Sequence, residues 1–92
     1  MLISVQAGNS DNKLSQQDWH AFVMSLDALL RDYETTRHFF GGSVTWAKWQ
    51  NVCWVVEIPS GHYDDLISDI KQMRELYQQD SVCVLAGERS FV

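Results

Sequence analysis

Apolar residues recur along the chain with two different periods. Four short segments alternate apolar and polar residues or are continuously apolar, and turn-forming residues flank them, which predicts strands at residues 2–7, 35–40, 51–58 and 82–86. Two longer segments carry apolar residues at three- and four-residue steps, which predicts amphipathic helices. The predicted order is therefore strand, helix, strand, strand, helix, strand.

Each predicted helix follows a serine. Ser15 opens the first helix and Ser60, directly after Pro59, opens the second, because a serine hydroxyl can accept a hydrogen bond from a free amide of the first turn. The apolar stripe of each helix predicts the face that it buries. The first stripe comprises Trp19, Phe22, Val23, Leu26, Leu29, Leu30 and Tyr33, and the second comprises Tyr63, Leu66, Ile67, Ile70, Met73 and Tyr77.

The third predicted strand has an apolar residue at nearly every position from 52 to 58, which is typical of a central strand. The two halves of the chain repeat one strand–helix–strand pattern, which is typical of a split βαβ arrangement. We therefore expect one α+β domain over residues 1–92 with a ferredoxin-like βαββαβ fold. Its four-stranded antiparallel sheet would carry both helices on one face, and the first and third strands would be central.

The chain is acidic, with a formal net charge of −5 over 92 residues. This balance argues against binding to free nucleic acid or an anionic membrane, because both need clustered Lys and Arg. It favours either simple solubility or a partner with a basic surface. No run approaches ~18 apolar residues and the start lacks a signal-peptide pattern, so we expect a soluble cytoplasmic protein.

The histidines, the cysteines and the turn-rich loop of the chain do not have the spacing of a known catalytic, metal or phosphate site. The histidines His20, His38 and His62 fall on separate elements, so the sequence predicts no metal site. Cys53 and Cys83 lie in apolar runs and are expected to be buried free thiols, although a disulfide between them stays open at this stage. The turn-rich residues 8–12 lack the pattern of a P-loop or an EF-hand. We therefore predict no catalytic residue and no cofactor.

Tryptophans and helix carboxylates are the best candidates for a binding surface. Trp19 and Trp54 have periodic places in the core, whereas Trp46 and Trp49 have none and either cover an open end of the core or anchor a partner. The carboxylates at the start of the second helix would meet basic groups. The predicted partner-binding residues are Arg37, His38, Trp46, Lys48, Trp49, Gln50, Asn51, Asp64, Asp65 and Asp69.

Small size, acidity, this order of elements and the lack of a catalytic motif together give the chain the general character of a phage-encoded inhibitor. It resembles the anti-CRISPR proteins that act on type I-F systems, over its full length but without a diagnostic motif. The resemblance implies a non-enzymatic inhibitor in the host cytoplasm. Such a protein would dock on the basic surface of an RNA-guided complex of Cas proteins, with contact to its guide RNA allowed, and block target-DNA binding.

Two alternatives remain open at this stage. The chain also resembles small cofactor-independent monooxygenases of dimeric ferredoxin-like fold, and in that case Asn51, Trp54 and His38 would line a pocket. The other alternative is an interaction module that forms a homodimer through its sheet face.

We predict that replacing Trp46 and Trp49 together by Ala weakens partner binding and leaves the melting temperature nearly unchanged, because both residues lack a periodic place in the core. Binding to a type I-F complex and a thermal melt measure the two effects. A large fall in melting temperature would contradict the prediction and place both side chains in the core.

Overall fold

The computed structural model describes residues 1–9, 13–44 and 50–87. The strands and helices follow one another in the predicted order. The elements are β1 (Leu2–Gly8), α1 (Gln16–Tyr33), β2 (Thr36–Gly42), β3 (Asn51–Glu57), a short 3-10 turn (Ser60–His62), α2 (Tyr63–Leu76) and β4 (Cys83–Gly87).

The strands form one antiparallel sheet in the order β2-β3-β1-β4. β1 and β3 are therefore central, which confirms the predicted βαββαβ topology. Residues from both helices join one buried cluster with residues from the sheet, so the helices cover a single face of it. We call the other side the open face of the sheet.

The core lies between the two helices and the covered face of the sheet. Every second residue of β3 faces it, because side chains alternate between the two sides of a strand. Trp54 and Val56 are fully buried there. Phe22, Leu26 and Leu30 from the α1 stripe and Leu66 and Ile70 from the α2 stripe complete the helix side of the core. The core assignments for both helices and for Trp54 are thus confirmed.

The structure confirms one of the two predicted serine caps and contradicts the other. Ser15 caps α1 as expected, since its hydroxyl oxygen accepts a 3.1 Å hydrogen bond from the Asp18 amide. The prediction for Ser60 was wrong. Ser60 begins the 3-10 turn, and α2 starts only at Tyr63 without a side-chain cap. The turn supplies the missing partner instead, because the Ser60 carbonyl accepts a hydrogen bond from the Tyr63 amide.

A β-bulge divides β2 between the two faces of the sheet. Arg37 pairs with Val56 and Phe39 pairs with Val55, so His38 is an extra residue without a partner position on β3. This insertion shifts the phase of the strand by one residue. As a result Arg37 and Phe40 face the helices, and Phe39 faces away from them.

The Gly41-Gly42 pair does not end β2 before residue 41, as the sequence suggested, but forms its last two residues. The reason for glycine at position 42 is close approach of two backbones. A Cβ atom at Gly42 would lie 2.2 Å from the carbonyl oxygen of Asn51 on β3. A side chain at this position is therefore incompatible with the observed pairing of the two strands.

We expect Gly42→Ala to lower the free energy of unfolding by about 1–3 kcal/mol, because the added methyl group must push β2 away from β3. Urea denaturation followed by tryptophan fluorescence measures this loss. Gly61→Ala is the control, since no heavy atom lies within 4 Å of its Cβ position. Equal effects for the two variants would refute the close-approach explanation.

Candidate functional site

The structure distributes the predicted partner-binding residues over several places. Trp46, Lys48 and Trp49 lie outside the described residues. The other seven divide among the interior behind β2, the end of the sheet near residues 50 and 51, the open face and the start of α2. Their role in partner binding remains a prediction. Their surroundings differ, and the exposed residues among them are better candidates for a contact surface than those bonded inside the fold.

Arg37 is engaged inside the fold. Its guanidinium donates hydrogen bonds to the carboxylates of Asp27 and Glu34, and only 18% of the side chain is exposed. It also lies 5.6 Å above the ring centroid of Phe40. Phe40 in turn stacks on Trp54, with ring centroids 5.3 Å apart. Arg37 thus connects β2 to α1 and to the central tryptophan.

Asp27 is the buried centre of this network. Its carboxylate accepts hydrogen bonds from the Trp54 indole nitrogen at 3.0 Å and from the Arg31 Nε at 2.9 Å, besides the bond from Arg37. Burial favours the neutral acid and is the largest single influence on its ionisation. The bonds from Arg31, Trp54 and Arg37 together outweigh burial, so the pKa of Asp27 lies below its ordinary value of 3.8.

Gln50 and Asn9 form a buried amide network at one end of the sheet. The Gln50 side-chain carbonyl accepts hydrogen bonds from the amides of Asn9 at 3.1 Å and of Gln16 at 2.9 Å. Asn9 also bonds the backbone of Leu14 in both directions. Gln50 is 7% exposed, so the network joins the segment after β1 to the residue before β3 and leaves little of Gln50 for a partner.

Neighbouring Asn51 is exposed, and its backbone carbonyl and amide bond Ser43 across the strand pair. Asn51 is thus exposed beside the buried amide network, and its backbone is bonded to Ser43.

His38 lies on the open face, where its Nε2 is 3.0 Å from a carboxylate oxygen of Glu57. Phe39 and Leu85 are on the same face and are 51% and 58% exposed. The sequence interpretation did not single out either residue. The exposure of Leu85 could have been predicted from the alternation of side chains along a strand. If residues 82, 84 and 86 face the helices, residues 83, 85 and 87 must face away from them.

Three carboxylates lie near Tyr33 at the end of α1, and a fourth adjoins them in sequence in the first turn of α2. Tyr33 of α1 donates a hydrogen bond to Asp69 of α2. This bond, together with the nearby charges of Asp65 and Asp32, raises the pKa of Tyr33 to about 12. Asp64 is exposed on the adjoining turn of α2. We call Asp32, Asp64, Asp65 and Asp69 the acidic patch.

No Lys or Arg among the described residues forms an ion pair with the acidic patch. Arg31, the nearest basic residue in sequence to Asp32, is paired with Asp27 instead. The patch therefore presents negative charge that the described part of the chain does not neutralise, and it includes the three helix carboxylates singled out from the sequence.

The residues proposed for an enzymatic pocket do not come together. Trp54 points into the core and has no exposed surface, whereas His38 and Asn51 belong to positions on the open side of the sheet. The expected pocket between sheet and helices cannot be built from these three. Within residues 1–9, 13–44 and 50–87, no three His, Cys, Asp or Glu side chains are grouped as metal ligands.

The two cysteines are free, as expected, but Cys83 is exposed and Cys53 half-buried, so the expectation of burial was wrong. Both cysteines pair with Gln6 of β1, Cys53 from the neighbouring strand β3 and Cys83 from the neighbouring strand β4. Paired residues lie on the same face of a sheet, so both thiols lie on the open face with Gln6. Their Cα atoms are two strand spacings of about 4.8 Å apart, which is roughly 9.6 Å in total. This distance exceeds the limit of roughly 7 Å between the Cα atoms of a disulfide. They therefore do not form a disulfide within one chain.

Comparison of the sequence with models of protein families and with curated proteins finds no significant match. In the part of the chain that the structure covers, no helix has the length and apolar character needed to cross a membrane.

The buried ion pair gives a prediction about acid stability. Asp27→Asn should lower the free energy of unfolding at pH 7 by about 3 kcal/mol, because it leaves the charge of half-buried Arg37 partly uncompensated. The lowered pKa of Asp27 means that its stabilising contribution is full above about pH 5 and is lost as the pH falls through the folded-state pKa. Urea denaturation at several pH values should therefore show the stabilities of the two proteins converging as the pH falls below the ordinary carboxyl pKa of 3.8.

The matched control is Asp64→Asn, which removes an equal charge from an exposed position. We expect it to change the free energy of unfolding by no more than about 0.5 kcal/mol. A difference between Asp27→Asn and the natural chain that is independent of pH would show that the ionised carboxylate is not the stabilising species.

Proposed function

We propose that this protein is a non-enzymatic inhibitor that binds a basic protein surface through its acidic patch. The observation that carries the proposal is the convergence of carboxylates from two helices around Tyr33 without a Lys or Arg partner among the described residues. Assembling like charges at one place disfavours folding slightly, because the carboxylates repel one another. Complementary charge on a partner would remove that repulsion and accelerate the encounter.

The partner that the resemblance implies is the RNA-guided surveillance complex of a type I-F CRISPR system. Such complexes hold guide RNA and target DNA in strongly basic channels. An acidic protein seated at a channel would compete with DNA phosphates for the same Lys and Arg side chains. Inhibition would then be steric and electrostatic, and would need no catalytic residue in the inhibitor.

The test is binding of the full chain to a purified type I-F complex loaded with guide RNA, with target-DNA binding as a second readout. We expect Asp64→Asn with Asp65→Asn to weaken binding about tenfold at low salt, which corresponds to roughly 1.4 kcal/mol. The loss should shrink as salt is raised, because salt screens exposed charges.

A charge-matched control separates the acidic patch from the overall charge of the protein. Asp18→Asn with Glu75→Gln removes the same two charges from the opposite end of the helix pair, in the first turn of α1 and the last turn of α2. We expect this variant to bind within about twofold of the natural chain. Absence of binding at micromolar concentration would exclude this partner, and equal losses for both variants would exclude the acidic patch as the contact surface.

A further inference from the structure

The open face of the sheet carries a row of four residues, one from each strand, of which three are apolar. The paired registers place Phe39, Val55, Ser4 and Leu85 side by side, from the β2 edge to the β4 edge. Phe39 and Leu85 at the two ends are each more than half exposed. Apolar groups that line up across one exposed face form a candidate contact surface.

The row has a projecting end and a recessed part. Phe39 projects from β2 because the bulge at His38 turns it away from the core. On the other side of the face, Ser4 is the small member of the row, and a shallow depression of about 190 Å³ lies there. Leu2, Val55 and Leu85 contribute to its walls. One chain thus provides both an apolar projection and an apolar recess on the same surface.

We propose that the open face is the contact surface for a second copy of this chain. Rotating one copy about a twofold axis parallel to the strands carries its β2 edge over the β1–β4 side of the other. Each Phe39 then reaches the recess beside Ser4 of the opposite copy, and the same contact occurs twice, as twofold symmetry requires. A face with only projections or only recesses could not match itself in this way.

The distribution of charge favours a copy of the chain over a basic partner at this face. Among the described residues of the open face, the titratable acid and base groups are the Glu57 carboxylate and the His38 imidazole. The His38 Nε2 lies 3.0 Å from a carboxylate oxygen of Glu57. The carboxylates of the acidic patch are on the helices, on the other side of the sheet. Two acidic molecules therefore meet more easily through their open faces than through the acidic patch, because the described residues of the open face carry fewer negative charges.

The available area sets the strength of the contact. A sheet of four strands with a strand spacing of about 4.8 Å and strands of about 20 Å presents roughly 400 Å² of flat area per copy. The two copies together would bury about 800–1,000 Å² once side-chain relief is included, which is below the roughly 1,200 Å² of a stable specific interface and in the range of weak, transient ones. We therefore expect a dimer with a dissociation constant in the micromolar range.

Sedimentation velocity of the full chain from about 1 µM to 1 mM tests the proposal, with dimer expected at the upper concentrations. Phe39→Glu with Leu85→Glu should raise the dissociation constant at least ~100-fold, because each introduces a charge into the apolar row. The charge-matched control is Met24→Glu with Leu76→Glu, which alters two residues of the helix side that are 49% and 75% exposed. This control should change the dissociation constant less than about twofold.

The thiol of Cys83 gives a second readout on the natural chain. It is exposed on the open face and should be alkylated more slowly as the dimer forms, and the Phe39→Glu, Leu85→Glu variant should abolish this protection. A monomer at 1 mM would overturn the proposal. A dimer that survives the double substitution, or one that the helix-side control dissociates, would overturn it equally, since either would place the contact elsewhere. The proposal uses a different surface from the acidic patch, so either can fail without the other.

Discussion

The ion pair between Asp27 and Arg37 is the interaction on which the arrangement of the other elements depends. It joins the middle of α1 to the edge strand β2, and the Trp54 indole ties the same carboxylate to the central strand β3. Because a buried carboxylate is costly unless fully bonded, the three elements can pack only where all of its partners are in reach. Arg37 must therefore face the helices, which fixes the orientation of β2.

The fixed orientation of Arg37 explains the composition of the open face. Strict alternation from Arg37 would place Phe39 beside it in the core and Phe40 outside. The bulge at His38 reverses the phase, so Phe40 stacks on Trp54 and Phe39 projects from the open face. One inserted residue thus places Phe40 against the buried network and Phe39 on the open face. The two phenylalanines are adjacent in sequence but lie in opposite environments.

The molecule presents two surfaces of different character on opposite sides of the sheet. The helix side carries the acidic patch, and its chemistry suits a partner with Lys and Arg side chains. The open face is apolar across its middle row, and its chemistry suits another apolar face. A dimer formed through the open faces would display two acidic patches pointing outward. Two such sites on one particle would strengthen attachment to a partner with repeated basic surfaces.

Hydrophobic periodicity was enough to predict the order of elements, the central places of β1 and β3, the buried stripes of both helices and the burial of Trp54, because it reports which face of each element avoids water. The surroundings of Arg37, Gln50 and Phe39 depend instead on how distant parts of the chain meet in the fold. Arg37 and Gln50 appear surface-like from residue type but are satisfied by Asp27 and by Asn9 from distant parts of the chain. Such long-range bonds leave no periodic trace, and neither does a single-residue bulge, so both the network and the exposure of Phe39 depended on the folded arrangement.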